Sequence, residues 1–320
     1  MFNTPLFYLL LLISNTLGAA SFSYPENNGD SLIGDTSSLT RVFFSGYEDT
    51  LLDIARYFNA GQNEILRINP GVDRWLPGEG TLISIPHSRL LPATVHQGLV
   101  LNLPEFRLYY YPRQSNGQLK QVITHPISVG RAGWNTPLGK TRVTHKTRNP
   151  VWIPPLSIRK EHEASGDILP AIVPAGPDNP LGLFAIRLAI PGYLIHGTNK
   201  PYGIGMRVSH GCVRMYPEDI EALFSQIKIG TQVNIINQAI KVGWSNNALF
   251  IEVYPDMEGQ ELAMEQRLEI AMELIAKASD ETLPALDTDG LRQALQQSTG
   301  IPVLIYRKNG MLPVKKGQKN

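Results

Sequence analysis

Two histidines and the only cysteine of the chain lie in two short runs of residues. Cys212 ends the run Ser209-His210-Gly211-Cys212, and His196 begins the earlier run His196-Gly197-Thr198. A cysteine nucleophile needs a base that takes its proton, and this base needs a further group that fixes its tautomer. A glycine before the cysteine lets the backbone turn so that neighbouring N–H groups face a developing oxyanion. The two runs therefore predict nucleophilic catalysis by Cys212.

The surrounding residues indicate how the two runs are held. Tyr193-Leu194-Ile195 predicts a strand that ends at His196, and a loop with Gly203 and Gly205 separates this strand from Cys212. A histidine that closes one strand and a cysteine that follows a glycine-containing loop can meet across that loop. We therefore expect Cys212 and His196 to form the reacting pair.

Other interpretations of these side chains stay open at this point. A buried cysteine often serves as a small core hydrophobe, and an isolated histidine is usually a hydrogen-bonded polar residue. His196, His210 and Cys212 could supply three zinc ligands, but no further Cys or His pair completes a usual zinc site. We predict no metal and no cofactor. We expect ordinary structural roles for the remaining histidines, which are His87, His96, His125, His145 and His162.

Short apolar runs between turn residues predict a mostly β domain over residues 97–237. These runs lie at residues 99–103, 107–111, 122–124, 193–195 and 233–236. One amphipathic helix is expected over residues 217–227, and Gly230-Thr231 turns the chain into the last strand. Residues 150–180 are rich in proline and lack a regular period, so we expect a long surface insertion that acts as a lid.

The N-terminal residues predict an exported protein. Residues 1–20 carry no charged side chain, and their apolar run over residues 6–13 is much shorter than the roughly 20 residues that span a bilayer. Gly18-Ala19-Ala20 supplies small residues for cleavage, so residues 1–20 are expected to be a signal peptide. The alternative is a buried N-terminal strand or helix. Residues 21–40 are polar and turn-rich, which predicts a linker.

A small α/β unit is expected over residues 41–86. The order is a strand at Val42-Phe43-Phe44, a helix after the N-cap Thr50, a second helix that ends at Asn69-Pro70, and a closing strand at residues 82–86. Together with Leu76-Pro77-Gly78 these features resemble a LysM module, a fold that binds glycans containing N-acetylglucosamine. The alternative is an unrelated α/β unit that spaces the next domain.

The two catalytic runs resemble the signature of the L,D-transpeptidase catalytic domain, the YkuD family. Ser209-His210-Gly211-Cys212-Val213-Arg214 and His196-Gly197 carry this resemblance, and Gly130 with Thr136-Pro137-Leu138-Gly139 fits an upstream element of the family. The resemblance spans about residues 97–237. It implies an L,D-transpeptidase-like β-sandwich with a short helix, and the periplasmic enterobacterial subgroup is the nearest match.

The resemblance also implies roles for individual residues. Cys212 corresponds to the nucleophile, which attacks the carbonyl between the L-centre of a diamino acid and the terminal D-alanine of a tetrapeptide stem. His196 corresponds to the general acid/base, and the Gly197 carbonyl orients its imidazole. Arg214 stands where other members carry asparagine. The other assignments are site-shaping positions for Ser209 and His210, oxyanion donors for the N–H groups of Gly211 and Cys212, and substrate contacts for Arg214, Tyr193 and Thr198.

The C-terminal residues predict a small α/β appendage over residues 238–308. A strand is expected at residues 249–254, helices over residues 258–277 and 291–297, and a last strand at residues 303–306. Acceptor docking and protection of a sheet edge are alternative roles for this appendage. Residues 309–320 form a basic tail with Lys315, Lys316 and Lys319.

Composition limits the classes of partner and the number of folding units. The chain has 320 residues, 29 Lys and Arg against 28 Asp and Glu, and therefore a net charge of +1, which argues against a nucleic-acid partner. Single cores stop growing at roughly 250–300 residues, so at least two units are expected. One cysteine excludes a disulfide framework within the chain. After signal cleavage we expect no membrane span and a periplasmic location.

We expect a peptidoglycan L,D-transpeptidase, and two other functions stay open. One is a glycan-binding scaffold with an inactive catalytic domain, and the other is a secreted cysteine carboxypeptidase in which water replaces the amine. The acceptor is also open between a second stem peptide, a lysine of a Braun-type lipoprotein and a free D-amino acid. The subgroup resemblance favours the lipoprotein.

Overall fold

The structure is a computed structural model that describes residues 20–27, 29–35, 37–279 and 285–308. The first elements are β1 (Ala20–Ser23), β2 (Leu32–Ile33), β3 (Thr40–Phe44), α1 (Leu51–Tyr57), α2 (Gln62–Ile68), β4 (Leu82–Pro86) and β5 (Arg89–Leu90). The central elements are β6 (Gly98–Asn102), β7 (Arg107–Tyr111), β8 (Gln121–Pro126), β9 (Val129–Gly130), β10 (Gly139–Arg148), α3 (Leu156–Ala164), β11 (Phe184–Leu188), β12 (Leu194–His196), a 3₁₀ turn (Pro201–Gly203), β13 (Arg207–Ser209), β14 (Val213–Arg214), α4 (Pro217–Gln226) and β15 (Gln232–Ile236). The last are β16 (Ile240–Ser245), β17 (Ala248–Val253), α5 (Met264–Ala278), α6 (Thr288–Gln297) and β18 (Val303–Arg307).

A nine-stranded sheet with the order β1-β8-β7-β6-β15-β10-β11-β12-β14 organises the central domain. The long strand β10 joins its two halves, because residues 139–142 pair with β15 and residues 143–148 pair with β11. Apolar side chains from both halves share one core, which includes Leu99, Val233, Ile186 and Ile195. The mostly β architecture expected for residues 97–237 is confirmed.

Helix α4 closes this core beside the strands that carry the catalytic runs. Pro217 occupies the first turn, where a missing N–H costs no hydrogen bond. Ile220, Leu223 and Phe224 are buried against the sheet. Because these apolar residues repeat at helical spacing, the sequence predicts this helix to within one residue of its observed end.

The N-terminal unit has the expected order of strand, helix, helix and strand. Thr50 caps α1 by accepting the Asp53 N–H at 3.1 Å, and β3 pairs with β4 in antiparallel register with Phe44 opposite Leu82. A separate small core holds the unit together, with Leu51, Ile65 and Ile83 fully buried. Its identity as a LysM module stays a prediction.

The expectation of a linker over residues 21–40 is wrong for part of this segment. Strand β1 pairs with the outer edge of β8, with Ala20 opposite Thr124, and β2 pairs with β5. Leu32 and Ile33 are buried. Strands of two and four residues are too short to give a periodic signal, which explains why the sequence does not predict them. Most of the expected signal peptide, residues 1–19, and the basic tail, residues 309–320, lie outside the described residues.

The C-terminal elements form a three-stranded antiparallel sheet, β16-β17-β18, covered by α5 and α6. Helix α5 begins at Met264, six residues after the expected start at Glu258; residues 258–259 form a turn, and residues 260–263 have no regular secondary structure. Leu90 of β5 packs with Ala248 and Phe250 of β17. None of the helices in the described part of the chain combines the length and apolar character that a membrane crossing demands.

Candidate active site

Strands β12 and β14 bring the two catalytic runs side by side. The strands are parallel, with Ile195 opposite Val213 and His196 opposite Arg214. Side chains alternate along a strand, and Ile195 and Val213 are buried in the core. His196, Arg214 and Cys212, which directly precedes β14, therefore lie on the opposite face of the sheet. The structure thus brings the nucleophile candidate and the base candidate to one face of neighbouring strands.

The His196 ring is held in one orientation by a backbone carbonyl. Its Nδ1 lies 2.7 Å from the Gly197 carbonyl oxygen, so Nδ1–H donates and Nε2 carries the lone pair in the neutral ring. Burial lowers the pKa of His196 to about 3, and the nearby Arg214 charge acts in the same direction. His196 is therefore a neutral imidazole near pH 7. This is the protonation state that accepts a proton from a thiol.

The Cys212 thiol is half-buried and its Sγ lies 3.6 Å from the Gly192 carbonyl oxygen, to which the S–H donates. Burial raises the pKa of this thiol, while the Leu194 backbone N–H and the Arg214 charge act to lower it. The resting pair is therefore a neutral thiol beside a neutral imidazole. Attack then requires proton transfer from sulfur to His196 as the new bond forms.

Arg214 brings a positive charge to the same face. Its backbone N–H and carbonyl both bond to Ser128, which fixes the strand, and its Nε is buried with no hydrogen-bond partner in the described part of the chain. Among the described residues it forms no ion pair. An unpaired, half-buried guanidinium is suited to an anionic group of a substrate.

The backbone around Gly211 corrects one expectation. Ser209 Oγ accepts the Gly211 N–H at 3.2 Å and donates to the Cys212 carbonyl. The Gly211 N–H is therefore not a free oxyanion donor, because a hydroxyl two residues earlier turns back onto it. Gly211 itself is required, since its φ is +99° and an added Cβ would lie 2.9 Å from Tyr193 Cε1. The Cys212 N–H remains as the candidate oxyanion donor from this loop.

His210 contacts residues that sequence reasoning does not single out. Its Nε2 lies 3.2 Å from Glu161 Oε2 and 3.1 Å from Arg131 Nη2, and its ring meets Trp134 edge-on at 5.0 Å. Glu161 also pairs with Arg131. Helix α3 of the insertion thus contacts the run that ends at Cys212. The family element at Gly130 and Thr136 marks the Arg131 loop, but residues 150–180 gave no periodic signal for α3.

Two expected substrate contacts have different surroundings. The Tyr193 ring covers Gly211, and its hydroxyl reaches the Asn135 carbonyl at 3.5 Å. Thr198 is buried, and its Oγ1 accepts the Lys200 N–H at 2.9 Å, so its hydroxyl has a structural partner. The geometry gives no support to substrate binding by Thr198. Across the described residues, no three His, Cys, Asp or Glu side chains gather to hold a metal ion.

Comparison with known proteins assigns the class that this site defines. Residues 96–235 match the model of the YkuD family, the L,D-transpeptidase catalytic domain. Relatives are similar over nearly the whole chain, beyond the catalytic domain, and the chain belongs to the L,D-transpeptidase family.

Three relatives illustrate the extent of the similarity. The probable L,D-transpeptidase YbiS of Escherichia coli K12 is 38% identical over 289 residues, which cover 89% of this chain and 92% of the relative. The probable L,D-transpeptidase YcfS of the same strain is 39% identical over 299 residues, 92% of this chain and 86% of the relative. The probable L,D-transpeptidase ErfK/SrfK of Salmonella typhimurium LT2 is 36% identical over 311 residues, 94% of this chain and 96% of the relative.

Proposed function

We propose that this L,D-transpeptidase cleaves the bond between a diamino acid L-centre and a terminal D-alanine in a peptidoglycan tetrapeptide stem. Cys212 Sγ attacks the carbonyl carbon while the thiol proton passes to His196 Nε2. The C–N bond then breaks, His196 returns the proton to the departing D-alanine amine, and a thioester forms at Cys212. The observation that carries this proposal is the shared face of Cys212 and His196, with the Gly197 carbonyl at 2.7 Å from the imidazole.

The second half of the reaction transfers the acyl group to an amine. The acceptor nitrogen attacks the thioester carbonyl, His196 takes one proton from that nitrogen, and the Cys212 sulfur leaves and is protonated. No nucleotide is needed, because the thioester conserves much of the free energy of the cleaved amide. This suits an exported, periplasmic enzyme. We also propose that residues 41–86 bind the glycan strand.

The acceptor we favour is a lysine of a Braun-type lipoprotein. Support comes from the insertion, where Trp152 and Val173 exchange two backbone hydrogen bonds in an antiparallel pair. In this register Ile153 and Ile172 are the next opposed residues, and they are 69% and 58% exposed. An aliphatic surface joined directly to α3 suits a protein acceptor better than a highly polar stem peptide.

Product analysis with separate acceptors tests the proposal. The mature protein is incubated with a disaccharide tetrapeptide and, in turn, a second tetrapeptide, a lysine-ended lipoprotein peptide and a D-amino acid. We expect release of D-alanine and an amide product in the wild-type reaction and neither with Cys212→Ala. Release of D-alanine with only a tripeptide product would indicate a carboxypeptidase. Binding without release of D-alanine would favour the glycan-binding scaffold.

A further inference from the structure

A buried threonine hydroxyl joins two backbone groups behind the nucleophile. Thr136 Oγ1 accepts the Gly130 N–H at 2.9 Å and donates to the Gly211 carbonyl at 2.8 Å. Thr136 is 6% exposed, so this hydroxyl is shielded from water. At Gly130 an added Cβ would lie 1.8 Å from the Trp134 carbonyl oxygen, so only glycine permits this close turn of the loop.

The hydrogen bond from Thr136 to the Gly211 carbonyl also fixes the direction of the Cys212 N–H. The Gly211 C=O and the Cys212 N–H belong to one planar trans peptide, in which they point in opposite directions. Holding the carbonyl therefore sets the direction of the Cys212 N–H. Ser209 donates to the Cys212 carbonyl, so the carbonyls on both sides of this N–H are held. Within the described residues the Cys212 N–H itself has no acceptor.

Glycine makes such an anchor necessary. Gly211 adopts a φ of +99°, a region that glycine enters without steric cost, and glycine also rotates more freely than other residues. Without a fixed partner for its carbonyl, the Gly211–Cys212 peptide could rotate and turn the Cys212 N–H away from the reacting carbonyl. Oxyanion stabilisation depends on donors that are already oriented before charge develops.

We infer that Thr136 is a positioning residue that aims the Cys212 N–H at the oxyanion formed during acyl transfer. The inference rests on the proposed function, because only attack on a carbonyl creates an oxyanion. Thr136 does not touch the substrate in this account. It acts through the peptide that precedes the nucleophile, and its effect is on the rate of acylation.

Two reactions of Cys212 separate this role from general support of the fold. Acylation by p-nitrophenyl acetate passes through an oxyanion, whereas alkylation by iodoacetamide is a displacement at carbon and forms none. For Thr136→Val we expect acylation to fall about 10- to 100-fold, less than the roughly 10²- to 10³-fold cost of losing an oxyanion donor, because the Cys212 N–H is misdirected and not removed. Alkylation should stay within about twofold of wild type, since the thiol is unchanged. Thr136→Ser keeps the hydroxyl and should restore most of the acylation rate.

Controls make each outcome decisive. Thr124→Val removes the buried threonine hydroxyl of β8 that accepts a hydrogen bond from Arg107 at 3.1 Å, and it should leave the ratio of acylation to alkylation unchanged. If Thr136→Val does not fold, Thr136→Ala is judged by the same ratio. Equal losses in both reactions, or no loss in acylation, would overturn the inference. A wild type that is acylated by the ester but releases no D-alanine would contradict the proposed function and leave the Thr136 result to be judged separately.

Discussion

Two arginines of this chain, the buried Arg107 and the half-buried Arg214, have opposite surroundings. Arg107 lies where the N-terminal unit meets the central sheet, and its Nη2 is 2.5 Å from Glu64 Oε2, while Arg89 holds the other Glu64 oxygen at 2.7 Å. Arg214 lies beside Cys212 and His196 and forms no ion pair with the described residues. Arg107 is paired with a carboxylate of the protein, whereas Arg214 is available to an anionic group of a substrate.

A second matched cluster connects the C-terminal unit to the central sheet. Lys241 Nζ lies 3.1 Å from Glu105, 2.8 Å from Glu252 and 2.7 Å from the Leu90 carbonyl oxygen. All three charged side chains are buried. Both junctions therefore join neighbouring units by charges that satisfy one another.

The pairing of these cations distinguishes residues that stabilise the fold from residues that are available to a substrate. A charge that leaves water without gaining a partner costs free energy, and proteins tolerate such a cost at functional sites. At the junctions, Arg89, Arg107 and Lys241 each have a carboxylate partner. At the candidate active site, the Arg214 side chain has no carboxylate partner and the Cys212 N–H has no acceptor among the described residues. Their partners are expected on the substrate.

Removal of the base candidate His196 should give the largest loss of catalytic rate. For His196→Gln we expect D-alanine release to fall about 10⁴- to 10⁶-fold, because the thiol loses the group that takes its proton. His125→Gln is the matched control, since His125 is also fully buried in the central domain but lies against Asp219 at 3.0 Å. It should cost stability and leave the rate within about threefold. Similar rates for the two variants would contradict the role of His196.

Breaking a matched junction should cost stability and leave the chemistry largely intact. Glu64→Gln leaves Arg89 and Arg107 without their carboxylate, and we expect the free energy of unfolding to fall by about 3–5 kcal/mol. Glu218→Gln, which breaks the half-exposed pair with Arg56, should cost less than about 1 kcal/mol. Chemical denaturation measures both, and equal losses would contradict the contrast between buried and exposed pairs.

The same junction should give a defined pH dependence. The two arginines lower the pKa of Glu64 to about 2 in spite of its burial, from an ordinary value of 4.5. The unfolded chain therefore binds more protons between these values, so this contribution is complete above pH 4.5 and disappears as the pH falls towards 2. In Glu64→Gln the free energy of unfolding should change less steeply over this window.

The protonated resting state of the Cys212 thiol should make its alkylation rate depend on pH, an effect of intermediate size. Because burial raises the pKa of Cys212, alkylation by iodoacetamide should increase with pH up to and beyond the ordinary thiol range. At pH 7 the rate should be at least about 30-fold below its high-pH limit. A plateau between pH 5 and 7 would instead indicate a thiolate paired with a protonated His196.

Loss of the Glu161–Arg131 pair, which joins the insertion to the loop beside His210, should have the smallest effect on stability and on the reaction. Glu161 and Arg131 each have side chains about 39% exposed, so Glu161→Gln should cost less than about 1 kcal/mol of stability. If the insertion excludes water, this variant should raise hydrolysis relative to transfer by a few-fold, and deletion of the insertion should raise it further. An unchanged ratio in both would exclude a lid function.

Local patterns in the sequence account for much of this architecture. The regular spacing of Ile220, Leu223 and Phe224 predicts α4, and capping by Thr50 predicts the start of α1. Helix α3 escapes prediction because Ile158 is its only buried residue, which is too little for a periodic signal. The sequence runs identify Cys212 and His196 as candidates. The Glu161 to Arg131 pair and the Thr136 bridge join distant segments, and no local spacing indicates such contacts.

The most direct test of Cys212 as the nucleophile is intact-mass spectrometry of the protein mixed rapidly with a disaccharide tetrapeptide, without added lipoprotein peptide or free D-amino acid. We expect a transient adduct with the mass of the disaccharide tripeptide acyl group, attached at Cys212, together with stoichiometric release of D-alanine. Cys212→Ala should form no adduct. Release of D-alanine by Cys212→Ala, or an adduct on another residue of the wild type, would contradict the central claim that Cys212 is the nucleophile.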